Sequence, residues 1–142
     1  MLVLDTDTFT LTVRSLGPEA ERVRGRIRAD GRPDGITIVT VEEQLKGRLA
    51  AWHRASTPEE YIAASELLRT TLEDIRTITP LPFTPEASAE FRRLKALKVR
   101  IGTQDLRIAA VVLSLDATLL TRNLSDFRKV PGLKAEDWSR PA

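Results

Sequence analysis

The chain lacks cysteine altogether and has a single histidine, His53, among its 142 residues. Without cysteine it has no disulfide, no thiolate-ligated zinc and no thiol nucleophile, a composition that fits the reducing cytoplasm. One histidine also excludes zinc sites of the H-E-x-x-H kind, which need two. We expect His53 to lie on a helix surface beside Trp52. Oxygen atoms are therefore the ligands that the sequence offers to a metal.

Long hydrophobic runs are missing as well. The longest apolar stretch, residues 108–120, is interrupted by Ser114 and Asp116 and is too short to cross a bilayer. The N-terminus has no basic segment ahead of a long apolar stretch, so we expect no signal peptide and a cytoplasmic protein without membrane contacts. The length favours a single domain over residues 1–142. A hydrophobic content of 42% excludes an intrinsically disordered chain.

Positive charge is concentrated in one part of the chain. Overall, 22 lysines and arginines face 20 aspartates and glutamates, but residues 91–107 contain only one acid, Asp105. Such a stretch can contact RNA phosphates, or it can be the solvated face of a helix. The side chains that would contact RNA are Arg92, Arg93, Lys95, Lys98 and Arg100.

Short apolar runs that alternate with helical patterns predict an α/β fold. The expected strands are residues 2–4, 36–40, 117–121 and 133–136, with an edge strand or connector at 77–83. The expected helices are residues 19–29, 41–55, 58–76, 85–99 and 103–114, and residues 122–127 are expected to form a loop. No strand alternates cleanly between apolar and polar residues. We therefore predict a mostly parallel sheet of four to five short strands, flanked by helices on both faces.

The helix expected at 58–76 has a clear start signal. Thr57 is placed to cap it, and Glu60 completes a capping box three residues later. The apolar residues expected to face inward from this helix are Ile62, Leu67, Leu68, Leu72 and Ile75.

Acidic residues stand where the predicted strands end. They are Asp5 and Asp7 after the first strand, Glu42 and Glu43 after the second, Asp126 after residues 117–121, and Asp105 at a helix start. Ligands of open parallel sheets bind at the carboxyl ends of the strands. Converging carboxylates without basic partners favour a divalent cation, and oxygen ligands suit Mg²⁺ or Mn²⁺. One of the two adjacent glutamates is expected in the site and the other in solvent.

Each of these acids also has a purely structural interpretation. Asp5 can cap the helix that follows it, and Asp105 can be favoured by the helix dipole. The functional interpretation depends on several acids meeting at one edge of the sheet.

Four stretches carry a family resemblance in their order and spacing. They are LDTD at 4–7, TVEEQLKG at 40–47, RIGTQDLRIAA at 100–110 and TRNLSDF at 121–127. With the tail at 130–138, the chain resembles PIN-domain ribonucleases along its whole length, specifically the VapC toxins of VapBC toxin–antitoxin systems. The G-x-x-D-x-x-I-A and T-R-N-x-x-D-F patterns are specific in combination.

The resemblance implies a catalytic and metal-binding set of Asp5, Glu43, Asp105 and Asp126. Glu43 is preferred because the family's glutamate stands four residues before a glycine, here Gly47. The polar groups implied to support the site are Thr6, Thr121 and Asn123, with Asp7 where many members have Asn or Ser. Asp7 either assists the ligands or points away.

The resemblance also implies an activity and partners. The protein would be an endoribonuclease that uses Mg²⁺, with Mn²⁺ as a substitute, to activate a water for attack on RNA phosphodiester bonds. A VapB-type antitoxin would neutralise it. Homodimers are usual in the family, and the apolar positions of the helices between Val41 and Arg76 offer an interface.

Two alternatives remain from the sequence. The segment LVLDTDT at 2–8 matches the opening of haloacid-dehalogenase-type phosphatases, with Asp5 as nucleophile and Asp7 as acid/base. That family also needs a later lysine and a paired-acid motif, of which Asp126 supplies one acid. The second alternative is a catalytically inert, partner-binding PIN domain, which the presence of all four acids disfavours.

Overall fold

Five strands and seven helices make up the fold, described for residues 1–142 by a computed structural model. The strands are β1 (Leu2–Leu4), β2 (Asp34–Thr37), β3 (Thr79–Leu81), β4 (Thr118–Leu120) and β5 (Lys134–Glu136). The helices are α1 (Thr6–Arg14), α2 (Pro18–Asp30), α3 (Ile38–Arg54), α4 (Pro58–Arg76), α5 (Pro85–Ala96), α6 (Thr103–Ser114) and α7 (Leu124–Phe127).

All neighbouring strands pair in parallel, in the order β3-β2-β1-β4-β5. This confirms the predicted α/β architecture, and β3 is an edge strand. Because every strand points the same way, the segments after β1, β2 and β4 leave the sheet along one edge. The site is built from these segments.

Two hydrophobic clusters cover the opposite faces of the sheet. Successive residues of a strand point to opposite faces, so β1 and β4 each contribute to both clusters. One cluster includes Val3 and Leu119 with Leu94 of α5 and Ile108 of α6. The other includes Leu4 and Leu120 with Phe9 of α1 and Val23 of α2. The predicted helical layers on both faces are therefore present.

The predicted strand at 36–40 is wrong at its end. The strand β2 stops at Thr37, and α3 begins at the next residue. The Thr37 hydroxyl accepts a hydrogen bond from the Thr40 backbone N–H at 3.2 Å and so caps the helix. The β-branched run that resembles a strand is thus divided between a strand and the first turn of a helix.

Three helices differ from the sequence prediction, one in its end and two because they were not predicted. The helix α5 ends at Ala96 instead of residue 99, because Lys98 adopts a left-handed φ of 57°. Residues 122–127, expected to be a loop, include the short helix α7. The helix α1 has no counterpart among the predicted elements, since its four threonines obscure the helical pattern.

The start of α4 agrees with its sequence signal, whereas its inward face agrees only in part, since Leu67, Leu68 and Ile75 are half-buried. The Thr57 hydroxyl accepts a hydrogen bond from the Glu60 backbone N–H at 3.1 Å, and the Glu60 carboxylate accepts one from the Ser56 N–H at 2.9 Å. Ile62 and Leu72, expected to face inward, are 65% and 45% exposed. The reason is that α4 packs mainly on α3 rather than across the sheet. None of the helices combines the length and hydrophobicity that crossing a bilayer requires.

Replacing Gly35 with Ala will destabilise the protein. Gly35 lies in β2, and a Cβ there would be 3.0 Å from the Thr79 carbonyl oxygen and 3.1 Å from the Leu81 side chain. Since β3 would have to shift, we expect a loss of about 1–3 kcal/mol in the free energy of unfolding, measured by denaturant titration.

Gly25→Ala is the matched control for that experiment. Gly25 lies inside α2, and a Cβ there meets nothing within 4 Å. This substitution should raise stability by up to about 1 kcal/mol, because alanine favours a helix interior. Equal effects of the two substitutions would contradict the close packing of β2 against β3.

Candidate active site

The structure brings the four acids of the predicted site to the carboxyl edge of the sheet. Asp5 follows β1 directly, Glu43 lies in the second turn of α3, Asp105 lies in the first turn of α6, and Asp126 lies in α7 after β4. The charges of Asp5, Glu43 and Asp126 all act on Asp105. Four segments that are distant in sequence therefore share one electrostatic environment.

Asp5 is buried, with 7% of its surface exposed, and both of its carboxylate oxygens accept hydrogen bonds. The Oδ1 atom accepts from the Thr8 backbone N–H at 2.8 Å, and Oδ2 accepts from the Thr121 hydroxyl at 2.5 Å. Burial raises the pKa of Asp5 above its ordinary value, although the bonds from Thr121 and Thr8 act in the opposite direction. Asp5 thus caps α1, and the same carboxylate lies among the other acids.

Thr121 links the Asp5 side of the edge to the Asp126 side. Its buried hydroxyl donates to Asp5 and accepts a hydrogen bond from the Asn123 backbone N–H at 2.9 Å. The Asn123 amide then donates to Asp126 Oδ2 at 3.0 Å. This hydrogen bond, followed by Lys129 Nζ at 3.4 Å from Oδ1, lowers the pKa of Asp126. Thr121 and Asn123, both predicted to support the site, therefore connect Asp5 to Asp126 in one continuous hydrogen-bond network.

Glu43 is held by hydroxyl groups rather than by a cation. The Thr6 hydroxyl donates to Glu43 Oε1 at 2.9 Å, and the Thr40 hydroxyl lies 3.0 Å from the Thr6 oxygen. Because the single hydroxyl hydrogen of Thr6 points to Glu43, Thr40 is the donor to Thr6. The neighbouring Glu42 is exposed and accepts a bond from Gln104 at 3.2 Å. One glutamate is thus in the cluster and the other in solvent, as predicted.

Thr40 and Thr8 are polar groups at this edge that the sequence analysis did not assign to the nuclease site. Thr40 lies three residues before Glu43, a spacing that places both on one face of α3, and this was the available signal. Thr8 is 2% exposed, and its hydroxyl has no hydrogen-bond partner. No sequence pattern distinguishes Thr8 from the other threonines of α1.

Asp105 is half-buried and makes no ion pair. Desolvation raises its pKa most, followed by repulsion from Glu43, Asp5 and Asp126. Of the four acids, only Asp126 takes part in an ion pair, with Lys129. The edge of the sheet therefore carries uncompensated negative charge around Asp105.

A divalent cation suits the chemistry of these side chains. Four carboxylates, with hydroxyl and amide groups behind them, are the oxygen donors that hard cations select. As the side chains stand, no three of them are close enough together to enclose an ion. Binding one ion through several of them would require the side chains to move inward, so the metal site stays a prediction.

Asp7 lies at the rim of the acidic cluster, near enough to Asp5 for its charge to contribute to the raised pKa of Asp5. The Asp7 side chain is 60% exposed, and Arg122 Nε donates to its Oδ2 at 2.7 Å. The other side of the same guanidinium donates to Glu19 at 3.0 Å. The sequence left open whether Asp7 assists the metal ligands or points away from them. In the structure it forms an ion pair with Arg122 at the rim.

The predicted RNA-contacting residues and His53 lie on the surface. The basic residues Arg92, Arg93, Lys95, Lys98 and Arg100 are all exposed, and among them only Arg93 forms an ion pair, with Glu90. His53 is exposed on α3, as expected. Trp138 is buried, packs under Arg26 and donates to Glu136, which is a packing role.

Comparison with known proteins identifies the family. No family model matches the chain. The chain is 42% identical over 110 residues to ribonuclease VapC1 of Haemophilus influenzae, covering 74% of each protein. It belongs to the VapC family of ribonucleases. It is also 26% identical over 140 residues to the tRNA(fMet)-specific endonuclease VapC of Salmonella typhimurium, covering 96% of each.

Solved VapC structures share the fold. The chain superimposes with a TM-score of 0.71 and 19% identity on a chain of VapBC2 from Rickettsia felis bound to a promoter DNA fragment, covering 97% of this chain and 99% of that one. A DNA-bound VapBC from Salmonella typhimurium gives a TM-score of 0.70 at 24% identity, covering 96% and 97%. The predicted PIN-like fold is confirmed. Membership of the VapC family makes the protein a nuclease, which disfavours the phosphatase and inert-domain alternatives.

Asp105→Asn will stabilise the metal-free protein at neutral pH. A carboxyl whose pKa is raised in the fold destabilises the native state once the pH exceeds its unfolded value, and the effect is complete above the folded pKa. We expect the melting temperature in chelator to rise by about 1–3 °C. The gain should shrink as the pH falls below the raised pKa of the folded protein and should vanish below the unfolded value near 3.8.

Asp126→Asn is the matched control, with the opposite sign. The pKa of Asp126 is lowered in the fold, so removing its charge removes a favourable interaction above its unfolded pKa. The melting temperature of this variant should not rise. An increase of similar size in both variants would show that repulsion around Asp105 is not the cause.

Proposed function

We propose that this VapC-family protein is a metal-dependent endoribonuclease toxin that uses Mg²⁺, with Mn²⁺ as a substitute. It would act in the cytoplasm as a single PIN domain over residues 1–142. The observation that carries the proposal is the position of Asp105 among three other carboxylates without a cationic side chain of its own. Uncompensated carboxylates at a sheet edge suit a divalent cation and a phosphate substrate.

The residues that would hold the metal are Asp5, Glu43, Asp105 and Asp126. When bound, such a metal would lower the pKa of a water and offset the negative charge that develops on the phosphate oxygens during in-line attack. The carboxylates supply the negative charge that retains it. Asp5 and Asp105 have raised pKa values in the absence of a cation.

The polar residues behind the acids fix where the acids point. Thr121 and the Thr8 backbone leave Asp5 one orientation, because each of its oxygens accepts one of their hydrogen bonds. Thr6 orients Glu43, and Asn123 orients Asp126. Precise orientation of ligands by a surrounding shell of hydrogen bonds commonly changes metal affinity or activity by about 10–100-fold.

The proposed reaction does not use His53 as a general acid or base. His53 lies ten residues beyond Glu43 on α3, about 15 Å along the helix axis. The substrate would be RNA, with the exposed basic residues around Arg92 to Arg100 available for phosphates. Arg100 precedes Gly102, the N-cap of the helix that carries Asp105, by two residues.

Two partners complete the proposal. A VapB-type antitoxin would neutralise the nuclease, by analogy with the VapBC complexes that share the fold. A second copy of the chain would pack on the α3–α4 hairpin. The hairpin exposes large apolar side chains, which are Leu49, Tyr61, Ile62 and Leu72.

Glu43→Gln will abolish most RNA cleavage, whereas Glu42→Gln will not. Both substitutions remove one charge at adjacent positions, but only Glu43 is bound by Thr6 inside the cluster. We expect the rate to fall about 100-fold or more for Glu43→Gln and less than about threefold for Glu42→Gln. The assay is cleavage of total cellular RNA by antitoxin-free protein, with Mg²⁺, with Mn²⁺ and with chelator.

Thr6→Val tests the orientation of Glu43 without changing charge. It should reduce the rate by about 10–100-fold, between the other two variants. Cleavage that persists in chelator, or equal losses from Glu42→Gln and Glu43→Gln, would contradict the proposed site. Intact RNA with a folded, metal-loaded protein would contradict the proposed function.

Leu72→Glu will shift the protein from dimer to monomer. Tyr61 and Leu72 are eleven residues apart on α4, about three turns, so they share one face of the helix. A charge on that face should oppose burial against a second copy. The measurement is molar mass by light scattering during size-exclusion chromatography.

Leu97→Glu is the control for that measurement. Leu97 is 54% exposed and directly follows α5. Leu94 of α5 and Ile75 of α4 pack on opposite faces of the sheet, so Leu97 is remote from the hairpin. The substitution should leave the mass unchanged. A monomeric wild type, or dissociation by Leu97→Glu alone, would contradict an interface on α3–α4.

A further inference from the structure

Two open cavities adjoin each other beside the acidic edge, on the β5 side of the sheet. The first, of about 480 Å³, is lined by Asp5 and Asn123 among other polar residues. The second, of about 530 Å³, is lined by Ser125 and Arg128 among others. Arg122, Asp137 and Arg140 line both cavities. A polar surface therefore runs continuously from Asp5 to the outer face of α7.

The lining of the second cavity holds more basic than acidic side chains, although Arg122 is also paired with Asp7 and Glu19 outside that lining. Three guanidinium groups, those of Arg122, Arg128 and Arg140, face a single carboxylate, Asp137. That carboxylate is only 5% exposed and already accepts bonds from the Ser139 N–H and hydroxyl as well as from Arg140. Arg128 is exposed and has no acidic partner. The cavity therefore suits an anion.

Arg122 is fixed at the junction of the two cavities. Its Nε donates to Asp7 and its Nη1 donates to Glu19. These bonds engage two of the five N–H donors of a guanidinium, so the remaining ones are available to a ligand. Asp7 and Glu19 thereby orient Arg122 without saturating it.

The chemistry of the surface favours a nucleic-acid backbone over a protein. No hydrophobic residue lines the first cavity, and Leu124 is the one apolar side chain in the second apart from Pro141. Protein interfaces are usually built around an apolar core. Guanidinium forks, in contrast, match the oxygens of a phosphate in two-point contacts.

We propose that Arg122, Arg128 and Arg140 form a phosphate-binding subsite for the RNA strand next to the bond that is cleaved. The inference rests on the proposed nuclease function. It adds the path of the RNA strand, which would run from the carboxylates past Arg122 to the outer face of α7. This subsite lies across β4 and β5, in a part of the chain separate from the basic residues of α5.

The test compares two double variants that remove the same charge. Arg128→Gln with Arg140→Gln removes the outer part of the subsite. Arg54→Gln with Arg76→Gln removes two exposed arginines that form no ion pair, at the far ends of α3 and α4. Each pair is combined with Asp105→Asn, and binding of a fluorescently labelled single-stranded RNA is followed by anisotropy from about 50 to about 200 mM salt.

We expect the subsite variant to raise the Kd about tenfold or more at low salt. Its plot of log Kd against log salt should lose about one to two units of slope, because fewer counterions are released from phosphates. The control variant should change the Kd by less than about twofold. Arg128→Lys with Arg140→Lys should restore the slope, since the slope counts charges, but recover the affinity only in part. With Asp105 intact, the KM for cleavage should rise by the same factor as the Kd.

Other outcomes would overturn the inference and are distinguishable from failure of the nuclease function. Unchanged Kd and KM in a wild type that cleaves RNA would remove the subsite and leave the function standing. Lost binding of a VapB-type antitoxin with an unchanged Kd for RNA would make this a protein-binding surface instead. Absence of metal-dependent cleavage by the wild type would overturn the nuclease function, while the anisotropy experiment would still decide whether the arginines bind RNA.

Discussion

Asp5 is an ionisable side chain with 7% of its surface exposed and no cation within ion-pair distance. It is held instead by two neutral donors, the Thr121 hydroxyl and the Thr8 backbone N–H. These bonds fasten the end of β1 to the end of β4 and cap α1 with the same carboxylate. Removing the carboxylate would leave a buried backbone N–H and the hydrogen of a buried hydroxyl without an acceptor, which costs about 1–3 kcal/mol for each group. The positions of α1 and of the β4–α7 connection both depend on this residue.

The cluster around Asp105 opposes folding in the absence of a cation. Desolvation and three neighbouring carboxylates raise the pKa of Asp105, which means that its charged form is less favourable in the fold than in the unfolded chain. Such sites persist because function needs them, and substitutions that remove their charge commonly stabilise a protein while removing its activity. Hydroxyl and amide groups orient the acids without neutralising them. A lysine or arginine in the place of Thr6 would bring a positive charge to Glu43 and so reduce the negative charge of the cluster.

Much of this fold could be predicted from the sequence because its signals are local. The start of α4 at Thr57, the limits of α6 and the apolar β1 strand each follow from a few adjacent residues. The end of β2 could not be predicted, since Ile36 to Thr40 favours a strand equally well until the Thr37 hydroxyl is seen to cap α3. The outward face of α4 is a consequence of packing on α3, which no pattern within α4 reveals.

The acids of the site could also be predicted only in part. Their arrival at one edge could be predicted, because parallel strands end together. The role of each acid could not, since Asp5 and Asp7 look alike in the sequence and differ only in partners far along the chain. Asp5 is bound by a hydroxyl 116 residues away, and Asp7 is bound by a guanidinium 115 residues away.

The structure sorts the acids of this edge by the kind of group that binds them. Asp5 and Glu43 accept bonds from neutral hydroxyls and keep their full charge for a cation. Asp7 and Asp137 form ion pairs with Arg122 and Arg140, and each holds a guanidinium group in place. The first kind creates negative potential at the carboxyl ends of β1 and β2. The second kind positions positive charge at the adjoining rim, beyond β4. Under the proposed function an RNA strand would meet both, a cation at the phosphate that reacts and fixed guanidinium groups at the phosphates that do not. The partners of the acids would then mark the direction of the strand across this edge.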